Sequence, residues 1–413
     1  MKIAHVLRRL SFDEWGGTEQ VVWNIAKAQK AAGHEVRIFA TTALWRGNGE
    51  RGTGNGKLET VNGIEILRFK PIYPWWPMPK KLVAELDKKG GNPFVPGLGK
   101  AIREWQPDVI HCHAMARIAE LCLRVGAQSS SCGKQVRCIV SLHGGGANVP
   151  TVEANSLKAP TRGRLPWGKA IDIAMGWTRR VPEDFDGIVC VGEDEYERYK
   201  AVHPHVMFLP NGVDCALFEK VTTPNSQLPT PNSQLSLLCV ARIDRQKNQM
   251  MLVEWLARHP EASVRLVGPV TQPDYRAELE SRAAELGVSG RLAIVGALKP
   301  GSPELVAEYR RADAFVLPSR HEPFGIVVLE AWAAGVPVVA SDVGGLGRLC
   351  AAHPGAALAF PPGDLAALDA ALERIATVPR LRDSLVSAGH AAAADYDWGR
   401  LAGRLVAFYE GIW

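Results

Sequence analysis

The segment HEPFGIVVLEAWAAGVPVVAS, residues 321–341, contains two glutamates, Glu322 and Glu330, around a predicted helix start. The apolar spacing predicts a helix over Ile326–Ala334, whose first backbone N–H groups have no partner within the helix. Gly325 would let an anion approach those groups closely. Helical side chains tilt toward the N-terminus, so the carboxylate of Glu330 can reach back toward such a ligand. The pattern suits sugar hydroxyls on either side of a diphosphate; a capping Glu322 with an incidental Glu330 is the alternative.

A second group of charged residues lies in LLCVARIDRQKN, residues 237–248, where Arg242 and Lys247 follow a predicted strand. We expect Lys247 to open the next helix, where a cation costs ~0.3–1 kcal/mol. An anion held between the two cations would reverse that sign, so we predict that they bind one. Two solvated surface cations are the alternative. We also expect Glu322 and Lys247 to lie at the cleft surface, so that removing either changes folding little.

The first half of the chain carries two weaker signals. In WGGTEQVVWN, Gly16 and Gly17 precede a helix with Glu19 in its first turn, so backbone N–H groups could approach a ligand there. A plain turn is the alternative. In RCIVSLHGGG, His143 stands at the end of a buried strand, where a structural histidine is the alternative reading.

The elements that must position these residues alternate between short apolar runs and helix-length segments. This alternation predicts an α/β fold with two doubly wound parallel sheets, which bind ligands beyond the carboxyl ends of their strands. We predict a first domain over residues 1–213, a linker over 214–236 and a second domain over 237–394. The linker contains the tandem polar repeat TPNSQLP and TPNSQLS, and the amphipathic tail, residues 395–413, is expected to pack back on the first domain.

The predicted strands are Lys2–Leu7, Glu35–Ala40, Ile64–Phe69, Asp108–Cys112, Arg137–Leu142, Gly187–Val191, His205–Leu209, Leu237–Ala241, Ser263–Val267, Leu292–Val295, Ala314–Leu317, Val336–Ala340 and Ala356–Phe360. The glycine-rich segment GNGERGTGNG, residues 47–56, is expected to form a flexible loop.

The segment with Glu322 and Glu330 resembles the E-x7-E motif of retaining GT-B glycosyltransferases, especially glycosyltransferase family 4. The resemblance implies that Glu322 binds hydroxyls of the transferred sugar and that Glu330 binds the ribose of a nucleotide. It also implies that the backbone N–H groups of Phe324, Gly325 and Ile326 hold the sugar and the diphosphate.

Other segments extend the resemblance over most of the chain. Arg242 and Lys247 are similar to the family's Arg-x4-Lys pair, which neutralises the donor diphosphate, although Ala241 stands where glycine is commoner. The base of the nucleotide would then lie near Gly268 and the turn at Val295–Leu298.

Three segments around the first domain also match the family. Gly16 and Gly17 resemble the GGxE loop that faces donor and acceptor, and His143 resembles the strand-end histidine near the reacting sugar. LPNGVDCALF, residues 209–218, is similar to the inter-domain signature, in which Asn211 and Gly212 would shape a hinge.

The resemblance implies a GT-B fold, with two Rossmann-like domains facing across a cleft. The expected activity is retaining transfer of a hexose-type sugar from a nucleotide-diphosphate sugar by front-face attack, with no cofactor and no metal. The acceptor is unidentified, and a lipid-linked or polysaccharide glycan is the candidate. A sugar phosphorylase or nucleotide-sugar epimerase on the same scaffold, or a non-catalytic nucleotide-sugar-binding protein, is the alternative.

The distribution of charge and the start of the sequence indicate which partners and which location to expect. The net charge of +5 is uneven, with 29 Lys+Arg against 22 Asp+Glu through Asp214 and 19 against 21 beyond it. A basic first half suits an acidic acceptor or an anionic membrane surface, whereas no nucleic-acid-reading motif is present. The start resembles a strand rather than a signal peptide, so we expect a cytoplasmic protein, with peripheral contact at the inner face of the membrane as an option.

Two further patterns argue against a metal. The eight cysteines show no CxxC pairing and are expected to be buried reduced thiols. Asp184-x-Asp186 and Asp395-x-Asp397 have the DxD form of metal-dependent transferases, but their positions favour turn and cap roles.

Two stretches of the basic half combine tryptophan with basic residues. PIYPWWPMPKK, residues 71–81, is too rich in proline for a regular helix, and TRGRLPWGKAIDIAMGWTRR covers residues 161–180. The second stretch contains Arg162, Arg164, Lys169, Arg179 and Arg180 around Trp167 and Trp177. Such a composition is typical of a bilayer interface, and lining a sugar-binding cleft or packing under loops is the alternative.

Overall fold

A computed structural model describes residues 1–12, 17–45, 50–51, 56–89, 92–131, 133–143, 167–178, 180–219 and 235–412. The contacts divide the chain into two compact units. The first is Met1–Pro210 together with Trp398–Trp413, and the second is Asn211–Asp397. The first unit therefore contains the C-terminal helix.

The first unit is built on a nine-stranded sheet with the strand order β3-β4-β5-β2-β1-β6-β7-β8-β9. All neighbours run parallel except β3, β4 and β5, which pair antiparallel at one edge. The strands are β1 (Lys2–Arg9), β2 (Glu35–Thr41), β3 (Glu50–Arg51), β4 (Lys57–Val61), β5 (Ile64–Phe69), β6 (Val109–Cys112), β7 (Arg137–Leu142), β8 (Gly187–Cys190) and β9 (Val206–Phe208). The strand order reverses between β1 and β6, so a ligand site is expected at their carboxyl ends.

The helices of the first unit are α1 (Gly17–Ala31), α2 (Lys80–Lys89), α3 (Leu98–Trp105), α4 (Arg117–Ser131), α5 (Gly168–Ala174), α6 (Glu193–Lys200) and, from the C-terminus, α15 (Trp398–Gly411). Helices α1 and α15 pack on the same face of the sheet. Leu401 and Leu405 of α15 share a core cluster with Val21 and Ile25 of α1 and with Ile3 of β1. Apolar burial thus fixes the C-terminal helix within the first unit.

The second unit is built on a six-stranded parallel sheet with the order β12-β11-β10-β13-β14-β15. Its strands are β10 (Ser236–Val240), β11 (Ser263–Val267), β12 (Leu292–Gly296), β13 (Ala314–Leu317), β14 (Val338–Ser341) and β15 (Ala357–Phe360). Its helices are α7 (Cys215–Glu219), α8 (Met250–Arg258), α9 (Pro273–Glu285), α10 (Pro303–Arg310), α11 (Ile326–Ala333), α12 (Gly344–Ala352), α13 (Leu365–Thr377) and α14 (Leu381–Asp395). The strand order reverses between β10 and β13, and the carboxyl ends of these two strands therefore meet at the expected ligand site.

Every strand predicted from the sequence is present, with its ends shifted by at most two residues. Strands β3 and β4 were not predicted. Strand β3 falls within the predicted loop, residues 47–56, and no element was assigned to residues 57–61. Strand β4 pairs with β5 around Asn62 and Gly63, which both have positive φ, of 49° and 73°. An Asn-Gly pair between two alternating runs is the usual signal for such a hairpin. Residues 47–49 and 52–55 of the predicted loop lie outside the described residues.

The predicted linker, residues 214–236, is too long at both ends. Helix α7 occupies Cys215–Glu219, and Ser236 is already the first residue of β10. The backbone N–H of Ser236 donates to the carboxylate of Asp313 at 2.9 Å, which ties the start of β10 to the loop before β13. The repeat itself, residues 223–236, lies outside the described residues apart from its last two positions.

Among the described helices, none combines the length and the apolar character needed to cross a membrane.

Candidate functional site

The turn after β10 positions Lys247. The carboxylate of Asp244 accepts hydrogen bonds from the backbone N–H groups of Gln246, at 3.0 Å, and of Lys247, at 3.2 Å. Asp244 is 3% exposed, so this turn is fixed from inside the protein. Lys247 therefore lies in the turn, and the prediction that it opens a helix was wrong because α8 begins only at Met250.

The side chain of Lys247 forms an ion pair across the switch point. Its Nζ donates to Oε2 of Glu322 at 2.6 Å, and the two side chains are only 11% and 13% exposed. This burial opposes the expectation that removing either residue changes folding little, because each side chain covers the other between the loops after β10 and β13. Removing one partner would leave a poorly solvated charge, which for buried pairs costs about 3–5 kcal/mol.

Arg242 is the more accessible cation of the predicted pair. Its side chain is 53% exposed, and its guanidinium lies 3.3 Å from the carboxylate of Asp244. The same carboxylate holds the turn of Lys247, so Arg242 and Lys247 are organised around one buried acid. An anion could contact the exposed guanidinium without displacing the turn.

Glycines bring two helix starts beside Glu322. Gly325 precedes α11 with a φ of 96°, in the left-handed region that favours glycine. Gly345, in the first turn of α12, donates its N–H to the carbonyl of Glu322 at 3.0 Å. A Cβ at Gly345 would lie 1.8 Å from the carbonyl oxygen of Pro323, so no larger residue fits without backbone movement. We did not identify Gly345 from the sequence, although the glycine pair of VGGLG after a strand is the available signal.

Phe324 and Ile326, the other residues predicted to bind the donor through their N–H groups, flank Gly325 and are partly buried. The ring of Phe324 lies 6.0 Å from that of Tyr396 in an edge-on arrangement, which holds this loop against the end of α14. The loop thus rests on the same unit that carries the helix.

Glu330 lies on the second turn of α11, as predicted, and has a partner that we did not predict. The hydroxyl of Tyr309, in α10, donates to Oε2 of Glu330 at 2.6 Å. Burial raises the pKa of Glu330 to about 7, and the hydrogen bond from Tyr309 acts in the opposite direction. Glu330 therefore titrates close to neutral pH, with an acceptor oxygen already oriented.

In the region predicted to bind the base, the carboxyl ends of β10, β11 and β12 lie close together. The N–H of Gly268, after β11, donates to the carbonyl of Gly296 at 2.7 Å. A Cβ at Gly268 would lie 2.0 Å from the carbonyl oxygen of Ala241, which explains the glycine there. Backbone groups therefore dominate the edge beside Arg242.

In the first unit, the predicted glycine loop is only partly described. Gly16 lies outside the described residues, and Gly17 is the first residue of α1. Glu19 is 5% exposed and accepts from Nε of Arg9 at 2.5 Å, at the end of β1. Glu19 thus fixes the start of α1 to the carboxyl end of the sheet.

His143 follows β7 and belongs to a row of four histidines on one face of the sheet. We call His5, His111, His113 and His143 the histidine row. Nε2 of His143 lies 3.1 Å from Nδ1 of His113, and Nε2 of His113 lies 3.0 Å from Nδ1 of His5. Nε2 of His5 lies 2.7 Å from the side-chain oxygen of Gln29.

Burial keeps the histidine row neutral. It lowers the pKa of His5 and of His143 to about 4, and holds the pKa of His111 and His113 well below the usual value. Only His143 was predicted from the sequence; the signal for the others is the HxH pattern of His111 and His113 at the end of a buried strand.

Aspartates of both DxD patterns accept hydrogen bonds from backbone N–H groups. Asp184 accepts from the backbone N–H of Val181 at 2.9 Å, and Asp186 accepts from that of Cys138 at 2.7 Å. Asp184 thus has a local turn contact, as expected, whereas Asp186 instead ties the start of β8 to the neighbouring strand β7. Asp397 of the second pattern accepts from the N–H of Cys215 at 3.3 Å.

The two stretches rich in tryptophan and basic residues meet in the first unit. The ring of Phe94 stacks on Trp167 at 5.9 Å and lies 5.6 Å from Trp177. The N–H and carbonyl of Phe94 pair with Ile72, and a Cβ at Gly168 would lie 2.3 Å from Cβ of Pro74. One continuous surface region therefore carries the described residues of both stretches.

This region differs from the prediction in two details. Lys80 and Lys81 are helical, because the carbonyl of Pro79 accepts from the N–H groups at the start of α2. Arg180 is engaged in an ion pair with Glu120. Arg162, Arg164 and Arg179 lie outside the described residues.

With this geometry established, comparison with known proteins identifies the family. The model for Glycosyltransferase Family 4 matches residues 15–217, and the model for Glycosyl transferases group 1 matches residues 223–391. The chain belongs to glycosyltransferase family 4. This family 4 enzyme is 26% identical to a glycogen synthase of Mycobacterium tuberculosis over 399 residues, which cover 94% of this chain and 89% of the relative.

Other relatives agree with this assignment. A D-inositol 3-phosphate glycosyltransferase of Streptosporangium roseum is 33% identical over 232 residues, 52% of this chain and 51% of the relative. Sucrose-phosphate synthase from Thermosynechococcus elongatus has a similar structure, with a TM-score of 0.65 and 21% identity, covering 100% of this chain and 99% of that chain. HepE from Anabaena has a TM-score of 0.61 and 19% identity, with 100% of both chains covered. The two α/β units are those of a GT-B glycosyltransferase.

The raised pKa of Glu330 predicts a pH-dependent stability. The folded protein retains this proton up to about pH 7, whereas an unfolded glutamate loses it near pH 4.5. Ionisation therefore removes stability as pH rises through that window, and the Glu330→Gln variant, which still accepts from Tyr309, escapes the loss. In urea unfolding, the variant should gain on the order of 1–3 kcal/mol relative to wild type between pH 5 and pH 8.

Glu280→Gln, which removes an exposed carboxylate from α9, is the matched control and should show no such gain. An equal stability difference between Glu330→Gln and wild type at the two pH values would contradict the prediction.

Proposed function

We propose that this enzyme is a retaining glycosyltransferase that moves a hexose-type sugar from a nucleoside-diphosphate sugar without a metal or a cofactor. The observation that carries the proposal is the ion pair of Lys247 and Glu322 at the switch point of the second sheet. It lies beside the helix that carries Glu330, so a cation suited to a diphosphate stands near two carboxylates suited to hydroxyls. Structures of HepE with UDP and with UDP-glucose support a nucleotide-sugar donor.

In this proposal, the donor diphosphate is bound by Arg242, Lys247 and the N–H groups of Phe324, Gly325 and Ile326. Fixed positive charge at this position stabilises the negative charge that develops on the leaving group, which is usually the largest catalytic contribution. Glu322 accepts hydrogen bonds from hydroxyls of the transferred sugar while it holds the ammonium of Lys247. Glu330 accepts hydrogen bonds from the ribose hydroxyls.

Retention follows from front-face attack. The bond from the anomeric carbon to the phosphate oxygen breaks, the acceptor oxygen bonds to the same face, and its proton passes to the departing phosphate. This route needs no protein nucleophile, and we nominate none. We assign His143 to support of the transition state, and Gly16 and Gly17 to contact with the donor.

The proposed roles of Glu322 and Lys247 are tested with variants that keep the approximate size of each side chain and remove its charge. Glu322→Gln and Lys247→Met should each lower kcat/KM by on the order of 10²–10³, the scale of losing one transition-state contact. Because the pair is mostly buried, both variants should also unfold more easily than wild type. Steady-state kinetics with the donor found by screening UDP-, GDP- and ADP-sugars gives the measurement.

Arg245→Met is the matched control for these variants. Arg245 lies in the same turn, but its guanidinium is directed to Glu278 and Asp274 on α9, away from Glu322. It should retain normal kcat/KM. Near-normal turnover in Glu322→Gln or Lys247→Met would show that the residue has no role in transfer.

We further propose that the acceptor is lipid-linked and that the enzyme binds it at an anionic membrane. The membrane would be contacted by the surface region in which the two tryptophan-containing stretches pack around Phe94. Exposed apolar side chains lie on this region, namely Trp76 at 66%, Ile173 at 80% and Met175 at 51%. Lys80, Lys81 and Lys169 are exposed there as well. Trp167 and Trp177 instead pack against Phe94, so they support the surface from below.

Vesicle co-sedimentation tests the membrane proposal. Each basic residue near an anionic surface contributes about 1 kcal/mol, so Lys80→Glu with Lys81→Glu should weaken binding to phosphatidylserine vesicles by at least about 10-fold. Binding should also weaken as salt rises, because the attraction is screened. Lys30→Glu with Lys100→Glu makes the same change of charge elsewhere on the first unit. Equal weakening by both pairs, or indifference to lipid charge, would favour a soluble acceptor.

A further inference from the structure

The histidine row is a polar stripe on a face of the sheet that is otherwise apolar. His5 lies in β1, His111 in β6, and His113 and His143 just beyond the ends of β6 and β7, beneath the face where α1 and α15 pack. His5 and His111 are fully buried and His113 is 7% exposed. Burying polar rings is costly unless their nitrogens have partners, so the partners define what the row does.

A metal site is the first function that such a cluster suggests. Nitrogens of His5, His111 and His113 all lie within 4.8 Å of one another. The rings of His5 and His113, however, are stacked, with centroids 5.2 Å apart at 30°, and those of His111 and His113 are tilted by 33° with centroids 4.1 Å apart. A metal ion lies in the plane of each ligating ring, so stacked rings do not direct their lone pairs to one point.

The ring nitrogens are also engaged elsewhere. Those of His111 lie 2.6 Å from the hydroxyl of Tyr409 and 2.7 Å from that of Ser141. Those of His5 and His113 belong to the chain that runs from Gln29 to His143. The geometry is that of hydrogen-bonded rings and not of a ligand set.

The hydrogen bonds from Gln29 through His5 and His113 to His143 can run in only one direction. Each ring is neutral and so has one N–H and one lone pair. The amide oxygen of Gln29 accepts, so His5 donates through Nε2 and accepts at Nδ1. His113 must then donate through Nε2 and accept at Nδ1, which leaves Nε2 of His143 as the donor to His113. The remaining nitrogen of His143, Nδ1, has no hydrogen-bond partner among the described residues and carries the lone pair.

We propose that His113, held by His5 and Gln29, is a positioning residue that fixes His143 as its Nε2–H tautomer and presents Nδ1 as a hydrogen-bond acceptor. Such a nitrogen recognises a hydroxyl donor, such as a sugar hydroxyl, and cannot donate to a phosphate oxygen. The catalytic part of this inference rests on the proposed function. In that reaction, neutral His143 would accept a hydrogen bond from a sugar hydroxyl and would not act as a cation toward the diphosphate.

The tautomer is measured directly on the intact, ligand-free protein. Long-range ¹H–¹⁵N correlation spectra of protein labelled on the imidazole nitrogens distinguish Nε2–H from Nδ1–H rings, and His143→Gln assigns the His143 signals. We expect His143 to be neutral and in the Nε2–H form at pH 7. A protonated ring or an Nδ1–H tautomer would overturn the inference whether or not the protein transfers sugar.

Variants then connect the tautomer to turnover. His113→Phe fills the site but accepts no hydrogen bond, so His143 should become a mixture of tautomers and kcat should fall about 10- to 100-fold, as when the outer partner of a functional histidine is lost. His113→Asn keeps an acceptor oxygen near the place of Nδ1 and should restore the Nε2–H form and much of kcat. If His113→Phe fails to fold, the spectra of wild type and His113→Asn decide.

Ser141→Ala is the control on the same face. It removes a buried hydroxyl from His111 and should leave the tautomer of His143 and kcat unchanged. A loss of kcat in Ser141→Ala equal to that in His113→Phe, or an unchanged His143 in His113→Phe, would overturn the positioning role. Wild-type protein that turns over no nucleotide sugar would instead refute the proposed function and leave the spectral result standing.

Discussion

The ion pair of Lys247 and Glu322 is the contact on which the candidate site depends. It joins the turn after β10 to the loop after β13, the two strands between which the order of the second sheet reverses. Both side chains are largely withdrawn from water, and each charge is paired with the other. The pair therefore holds a cation and a carboxylate in place before any ligand arrives, and a preorganised charge does not need to be reoriented during the reaction.

The surroundings of the pair are shaped by backbone as much as by side chains. Gly345 allows the start of α12 to donate to the carbonyl of Glu322, and Gly268 allows β11 to approach Ala241 beside Arg242. Asp244 fixes the turn of Lys247 and contacts Arg242. These contacts explain why glycines and a buried acid lie beside the charged residues. A Cβ at either glycine would push the neighbouring backbone away, and without Asp244 the turn would not hold Lys247 near Arg242.

The sequence predicted what is encoded locally. The strands follow from short apolar runs, and Glu322, Glu330 and Arg242 follow from their place at strand ends and helix starts. The burial of Lys247 could not be predicted, because its partner is 75 residues away and is brought near only by the order of the strands. Tyr309 contacts Glu330 across two helices for the same reason. His5 and His113 come from different strands, so no local pattern connects them to His143. The hairpin of β4 and β5 could have been predicted from Asn62 and Gly63, but no element was assigned to residues 57–61.

The stereochemistry of the product tests the central claim most directly. The enzyme would be incubated in EDTA with the α-linked nucleotide sugar that it consumes, and the anomeric proton of the first product formed would be followed by ¹H NMR. The account predicts release of the nucleoside diphosphate and an α-configured product, because front-face attack retains configuration and the charge clamp of Arg242 and Lys247 needs no metal. A β-configured product, or turnover that stops in EDTA and returns with Mg²⁺ or Mn²⁺, would contradict it.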